Sequence, residues 1–265
     1  MEMKFESNGF EKRLKSMLKV DFLRMFKSRL IYIMLGIALV CPILILVMTT
    51  MMGDATVTNP TTGEVTPMET FTNTWQAISS PSGAGMSMDL TGMCNMNMMY
   101  FAAAVLVCLF VSDDFRSGYS KNLFTVRSGK VDYVISKTLV CFIGGALMIV
   151  AWFMGSMLGG AVAGLSFDTM GAGTFGVLMC IISKIAVMAV FVPIFLTMAV
   201  VAKQRAWLSI CLSLAVGMLL FMMIPMMTPL DAGMMNVVLC VVGGALFSIG
   251  LGAVSNIILN KTSLV

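Results

Sequence analysis

Few residues in this chain could do chemistry. Histidine is absent, which removes the commonest metal ligand and the usual general base. All seven cysteines (41, 94, 108, 141, 180, 211, 240) fall inside or at the edge of apolar runs. That placement predicts reduced, buried thiols rather than disulfides or a metal centre. Lys184 is the one basic residue within an apolar run, with no acid near it in sequence. Intramembrane charge is a functional candidate by default, and snorkelling to the outer interface is the alternative. The densest polar segment is SDDFRSGYSKNLFTVRSGKVDYVISK, residues 112–137, with eight charges in 26 residues of a chain only 11% charged. Its Ser-Gly-Lys echoes half of a phosphate-binding loop. The upstream glycine at the right spacing and the Ser/Thr after the lysine are both missing, so no nucleotide site is expected. The chain is therefore read as no enzyme by itself.

The elements that must position these residues are membrane helices. The chain has 265 residues, of which 58% are hydrophobic, and its mean hydropathy is +0.95. Continuous apolar runs of about 18 residues or more suit helices across a hydrocarbon core about 30 Å thick. The expected fold is an all-α polytopic membrane protein, one transmembrane domain over residues 1–265. Its six spans are placed at about 30–52, 93–111, 138–162, 174–202, 206–228 and 233–258. The loop 53–92 joins the first two and 112–137 the next two. Pro225 and Pro229 suggest a broken or re-entrant end to the fifth span, and Pro193 a kink in the fourth. Gly155–Gly159 and Gly160–Gly164 have the spacing that lets helices approach closely.

Charge sets the orientation. Of the 17 basic residues, 16 fall in segment 1–29, loop 112–137, the turn at 203–205 and the tail, whereas loops 53–92, 163–173 and 229–232 hold none. By the positive-inside rule the first set is cytoplasmic, with both termini. No cleavable signal peptide is expected at the polar N-terminus. Loop 53–92, with no basic residue, is read either as a partly ordered cap or as a substrate-exit lid.

Residues 10–29 carry Phe10, Leu14, Met17, Leu18, Phe22, Met25 and Phe26 at helical spacing, with Lys and Arg on much of the remaining surface. The pattern predicts an amphipathic helix in the cytoplasmic interface, its lysines at anionic lipid headgroups. It reads equally as an anchor or as an elbow that also touches a partner. Within 112–137, Tyr119, Leu123, Phe124 and Val126 alternate with Lys121 and Arg127, which predicts a short amphipathic helix. Asp113 and Asp114 are expected at its N-terminus, where carboxylates favour a helix start.

The order Asp114, Gly118, Lys121, Asn122, Leu123, followed by Lys137 before the third span, resembles the cytoplasmic loop of type-2 ABC exporter permeases. Chain length, six spans, the amphipathic N-terminal helix and the first external loop extend the resemblance over nearly the whole chain. It implies a cytoplasmic coupling helix between spans two and three, built from Asp113, Asp114, Phe115, Arg116, Gly118, Tyr119, Lys121, Asn122, Leu123 and Phe124. That helix would seat in a separate ATPase subunit, beside an elbow helix bearing Phe10, Leu14, Leu18, Phe22 and Phe26. It further implies a homodimer of permeases above two ATPase copies, in the bacterial cytoplasmic membrane. ATP and magnesium would belong to the ATPase, with no cofactor in this chain and no nucleic-acid partner.

The cargo is less legible. Methionine is abundant, 29 residues, six of them between Met86 and Met99. Thioether sulfur suits Cu(I), but without histidine a metal pathway is not expected. Packing filler and an adaptable apolar cavity are the other readings. Lys184, Met93, Met96 and Pro193 are the candidate substrate or gating residues. A Met-rich interior below acidic outer loops suggests export of amphipathic, antimicrobial or toxin-like peptides. Multidrug or other lipophilic export is the alternative, with a secondary transporter or a peptide-sequestering immunity protein behind it.

Overall fold

The N-terminal helix α1 (Phe10–Lys27) and the first apolar helix α2 (Arg29–Met51) are separated by a single residue, Ser28. Ser28 is extended, at φ −72° and ψ 135°, and its hydroxyl accepts a hydrogen bond from the Leu30 N–H at 3.2 Å. One residue thus ends α1 through its extended backbone and caps α2 through its hydroxyl, so the chain turns a corner in one residue. The computed structural model describes residues 9–53, 56–58, 65–67, 70–80, 94–126, 130–221 and 223–261.

Beyond α2 the order is a short antiparallel hairpin, β1 (Thr56–Thr58) with β2 (Val65–Pro67), and a 3₁₀ turn at Thr74–Ala77. Then come α3 (Met98–Arg116), α4 (Tyr119–Val126), α5 (Val131–Ala163), α6 (Gly173–Ala202), α7 (Ala206–Phe221), α8 (Ile224–Met227) and α9 (Met234–Lys261). Among the described residues, α2, α3, α5, α6 and α9 are long and apolar enough to cross a membrane, while α7 is apolar but has only 16 residues. The fifth expected span is therefore not one helix to residue 228. It stops at Phe221 and a separate turn follows, with Pro225 at that turn's start.

Two boundaries move the other way. The helix that carries the second span runs past 111 to Arg116, and the helix that carries the third starts ahead of 138, at Val131. At 33 residues α5 is about 50 Å long, more than a hydrocarbon core requires. Its first two turns carry Asp132, Tyr133 and Lys137 out of the expected loop and onto a rigid helix.

The core is where α3, α5 and α6 meet, with Trp152, Tyr100 and Phe195 sealed inside. Gly155 and Gly159 of α5 lie against α2. A Cβ at Gly155 would fall on the Leu39 carbonyl, and one at Gly159 would come within 2.8 Å of the Ile43 Cα. The pair is a helix contact within the chain. Gly160 and Gly164 are not a second such contact: Gly160 makes room for the Thr74 side chain, and Gly164 ends α5 in a left-handed conformation at φ 68°.

Segment 70–80 closes one end of the bundle. Phe71 and Ile78 are buried, Trp152 donates to the Ala77 carbonyl at 3.0 Å, and Trp75 donates to the Phe167 carbonyl at 2.9 Å. These eleven residues are a fitted cap. Apart from the strands β1 and β2, most of the rest of loop 53–92 lies outside the described residues, and so does Met93.

A buried charge cluster and the candidate coupling site

Four charged side chains meet at the opposite end, where α1, α3 and α5 converge. Lys137 of α5 is fully buried and reaches both Asp21 Oδ1 at 2.9 Å and Asp114 Oδ2 at 2.6 Å. Arg24 of α1 holds the other oxygen of Asp114 at 2.7 Å. The neutral donors Ser136 (2.6 Å to Asp21) and Tyr133 (3.0 Å to Asp114) complete the two carboxylates. Two cations balance two anions, so the cluster is neutral as a unit, the condition under which buried charge is tolerable.

Helical periodicity assembles the cluster. Asp21 and Arg24 are three residues apart on α1, and Tyr133 and Lys137 four apart on α5, so each pair shares a face. Asp113 and Asp114 stand in the last turn of α3, not at the start of the short helix as expected. A carboxylate there opposes the helix dipole, and Arg24 and Lys137 supply the compensating charge. Aromatic rings wall the site: Lys137 Nζ is 4.0 Å from the Phe110 ring centroid, and the Arg24 guanidinium lies 4.1 Å over the Tyr119 ring. Burial works against the Arg24 charge, but Asp114 beside it, together with Tyr119 and Asp21, outweighs burial and raises its pKa. Burial likewise raises the Tyr119 phenol, Asp21 adding to the shift while Lys137 and Arg24 oppose it.

The expected coupling residues therefore divide into two groups. Asp114 and Phe115 are buried and belong to the bundle, while Asp113 and Arg116 are exposed. Gly118 links α3 to α4 at φ 75°, a conformation glycine adopts without strain. On α4, Leu123 and Phe124 pack inward, Phe124 edge-on to Tyr133 at 5.4 Å, and Lys121 and Asn122 face outward. Lys130, just past α4, donates to the Leu259 carbonyl of α9 and so ties the loop to the last helix.

On α1, Leu14, Leu18, Phe22 and Phe26 are half-buried, but Phe10 is 47% exposed. The fully buried face is Met17, Asp21 and Met25. Sequence reasoning missed Asp21, Arg24 and Tyr133. The available signal was Asp21, an acid set between Met17 and Met25 at spacings of four on a predominantly basic amphipathic helix.

Lys184 does not snorkel. It is fully buried, and its ammonium donates to Asn97 Oδ1 at 2.6 Å and Thr228 Oγ1 at 3.1 Å. It joins α6 to the residue before α3 and to the link after α8, at the capped end. Met96 is buried nearby in sequence, its N–H on the Ala77 carbonyl. Pro193 is buried within a continuous α6, and the Thr197 hydroxyl takes up its carbonyl at 2.7 Å. No group of three or more metal-ligating side chains occurs among the described residues.

A sequence model of the ABC-2 family of transporter proteins matches residues 17–220, from the middle of α1 to the end of α7. The chain belongs to that ABC-2 family. The matched range contains all four members of the charge cluster, α4 and Lys184. No curated protein and no solved structure matches the chain. Family membership makes it an integral membrane protein of transporter type and implies an ATPase subunit as partner.

Proposed function

We propose that this ABC-2 family protein is the permease subunit of an ATP-driven exporter, energised by a separate cytoplasmic ATPase that docks on α4. The observation that carries the reading is the construction of α4. It is an eight-residue amphipathic helix set on the charge cluster through Phe124 and Tyr119, with Lys121 and Asn122 presented outward. A push on its outer face would be passed by Tyr119 to Arg24 and Asp114, and so to α1, α3 and α5 together. The basic residues collected at this end support a cytoplasmic position for it and for both termini, in a bacterial cytoplasmic membrane. The permease works as a homodimer above two ATPase copies.

The cargo is an amphipathic, antimicrobial or toxin-like peptide. The Met-rich spans and the acidic loops at the capped end support that class, since flexible thioether surfaces accommodate varied apolar faces. Lys184, holding Asn97 and Thr228 together beneath the cap, acts as the outer gate.

The test is affinity purification from the native host, followed by charge reversal at Lys121. An ATPase should co-purify, and Lys121→Glu should lose substrate-stimulated hydrolysis while the protein still inserts and dimerises. Capture of no ATPase, or full stimulation in the variant, refutes the assignment. ATP-driven flux of lipophilic dyes but not of cationic peptides would replace the cargo class and leave the permease reading intact.

A further inference from the structure

A hollow of about 720 Å³ opens beside the charge cluster, between α1, the end of α3 and the turn joining α6 to α7. We propose that it holds the headgroup of an anionic phospholipid of the membrane in which the protein sits. The proposal needs only the membrane placement, not the cargo or the ATPase.

Three features of the hollow select this occupant. Lys27 and Arg116 stand at it from two different helices, both exposed, with Gln204 as a neutral donor. Arg24 also lines it, but its charge is taken by Asp114 at 2.7 Å. Against Lys27 and Arg116 the hollow has one acid among the described residues, Asp113, so a net positive charge is left for a phosphate. Much of the remaining wall is apolar. Leu30 and Phe110 line it, and Leu23 remains 52% exposed on a helix whose other face is committed to α5. A soluble phosphate compound would leave these side chains in water, whereas acyl chains would cover them. On the same wall Ser112 is 3% exposed, and its hydroxyl has no hydrogen-bond partner among the described residues. The location also fits: the hollow lies at the corner made by Ser28, where α1 gives way to the apolar α2, the depth at which headgroups meet hydrocarbon.

Headgroup chemistry follows. A phosphatidylglycerol phosphate would sit between Lys27 and Arg116 with its glycerol hydroxyls near Gln204 and Asp113. Phosphatidylcholine would bring a fixed cation to the same two basic residues and be disfavoured.

Native mass spectrometry of the full chain in neutral detergent tests this, titrating phosphatidylglycerol against phosphatidylcholine of the same acyl chains. The first phosphatidylglycerol should bind in preference. Lys27→Gln with Arg116→Gln should weaken it about fivefold per cation removed, whereas Lys12→Gln with Lys19→Gln, exposed elsewhere on α1, should not. Ala206→Trp, which fills the hollow without changing charge, should also expel it. Equal binding of the two lipids overturns the proposal, as does an equal loss in the Lys12/Lys19 pair, which would mean diffuse attraction. Glycerophosphoglycerol, the headgroup without chains, should bind far more weakly. If it binds as well as the lipid, the site is for a soluble phosphate and the lipid assignment fails.

Discussion

Replacing Lys137 by Met removes the one ammonium that bridges Asp21 and Asp114, at 2.9 and 2.6 Å. Methionine keeps the length of the apolar stem, so what changes is charge. The cluster is left with two fully buried carboxylates and one guanidinium. Breaking a buried pair by removing one partner costs about 3–5 kcal/mol, because the other charge is stranded. The folded-to-unfolded ratio should therefore fall by more than about a hundredfold, at 1.4 kcal/mol per factor of ten. Asp21→Asn should cost a similar amount by the opposite imbalance, leaving one excess positive charge while keeping the Ser136 contact.

The double variant Asp21→Asn/Lys137→Met is the informative case. It removes one anion and one cation together and leaves Arg24–Asp114 at 2.7 Å, with Tyr133 donating, as a balanced pair. It should be no less stable than either single variant, a coupling of at least about 3 kcal/mol. The assay is unfolding of the purified protein in mixed micelles with increasing SDS, followed by fluorescence of its three tryptophans. Additive losses would refute the reasoning, since they would mean the two charges do not share one enclosed site. Near-neutral single variants would refute it as well.

Charge reversal at Asp114 should behave as a folding defect, with poor recovery of membrane-inserted protein, whereas Lys121→Glu on exposed α4 should lose only ATPase stimulation. Membrane yield beside hydrolysis in vesicles separates the two. Gly155→Ala should destabilise by about 1–3 kcal/mol in the same SDS assay, because the atom in its way is backbone. Gly243→Ala, with nothing within 4 Å among the described residues, should be close to neutral. Lys184→Met should loosen the capped end by leaving Asn97 and Thr228 without their cation, at about 1–3 kcal/mol. Maleimide labelling of the buried Cys180, whose thiol lies 3.5 Å from the Thr228 carbonyl, should rise roughly fivefold or more. Unchanged labelling would remove the gate from Lys184.

The short helix α4 was legible in the sequence because its alternation of apolar and basic residues is local, and so was the break after the fifth span, written in Pro225. The partners of Asp114 were not. An acid just before Gly118 reads as a helix start when only neighbours along the chain are considered. The apolar residues before it extended α3 instead, and its partners come from positions 24, 133 and 137.

The sequence by itself determined that apolar runs of this length must be helices in a membrane, since backbone groups there pair within their own segment. It also determined which end of the bundle collects the basic residues. Tertiary structure alone decided that Lys137 and Asp21 are buried and paired, that Arg24 is drawn from the surface to Asp114, and that Lys184 turns inward to Asn97 and Thr228. The reason is physical. Whether a charge in a membrane protein faces lipid, water or a counter-charge depends on which helix faces meet, and those meetings join residues separated by tens to a hundred positions. Periodicity marks the faces of each helix, but only packing pairs them.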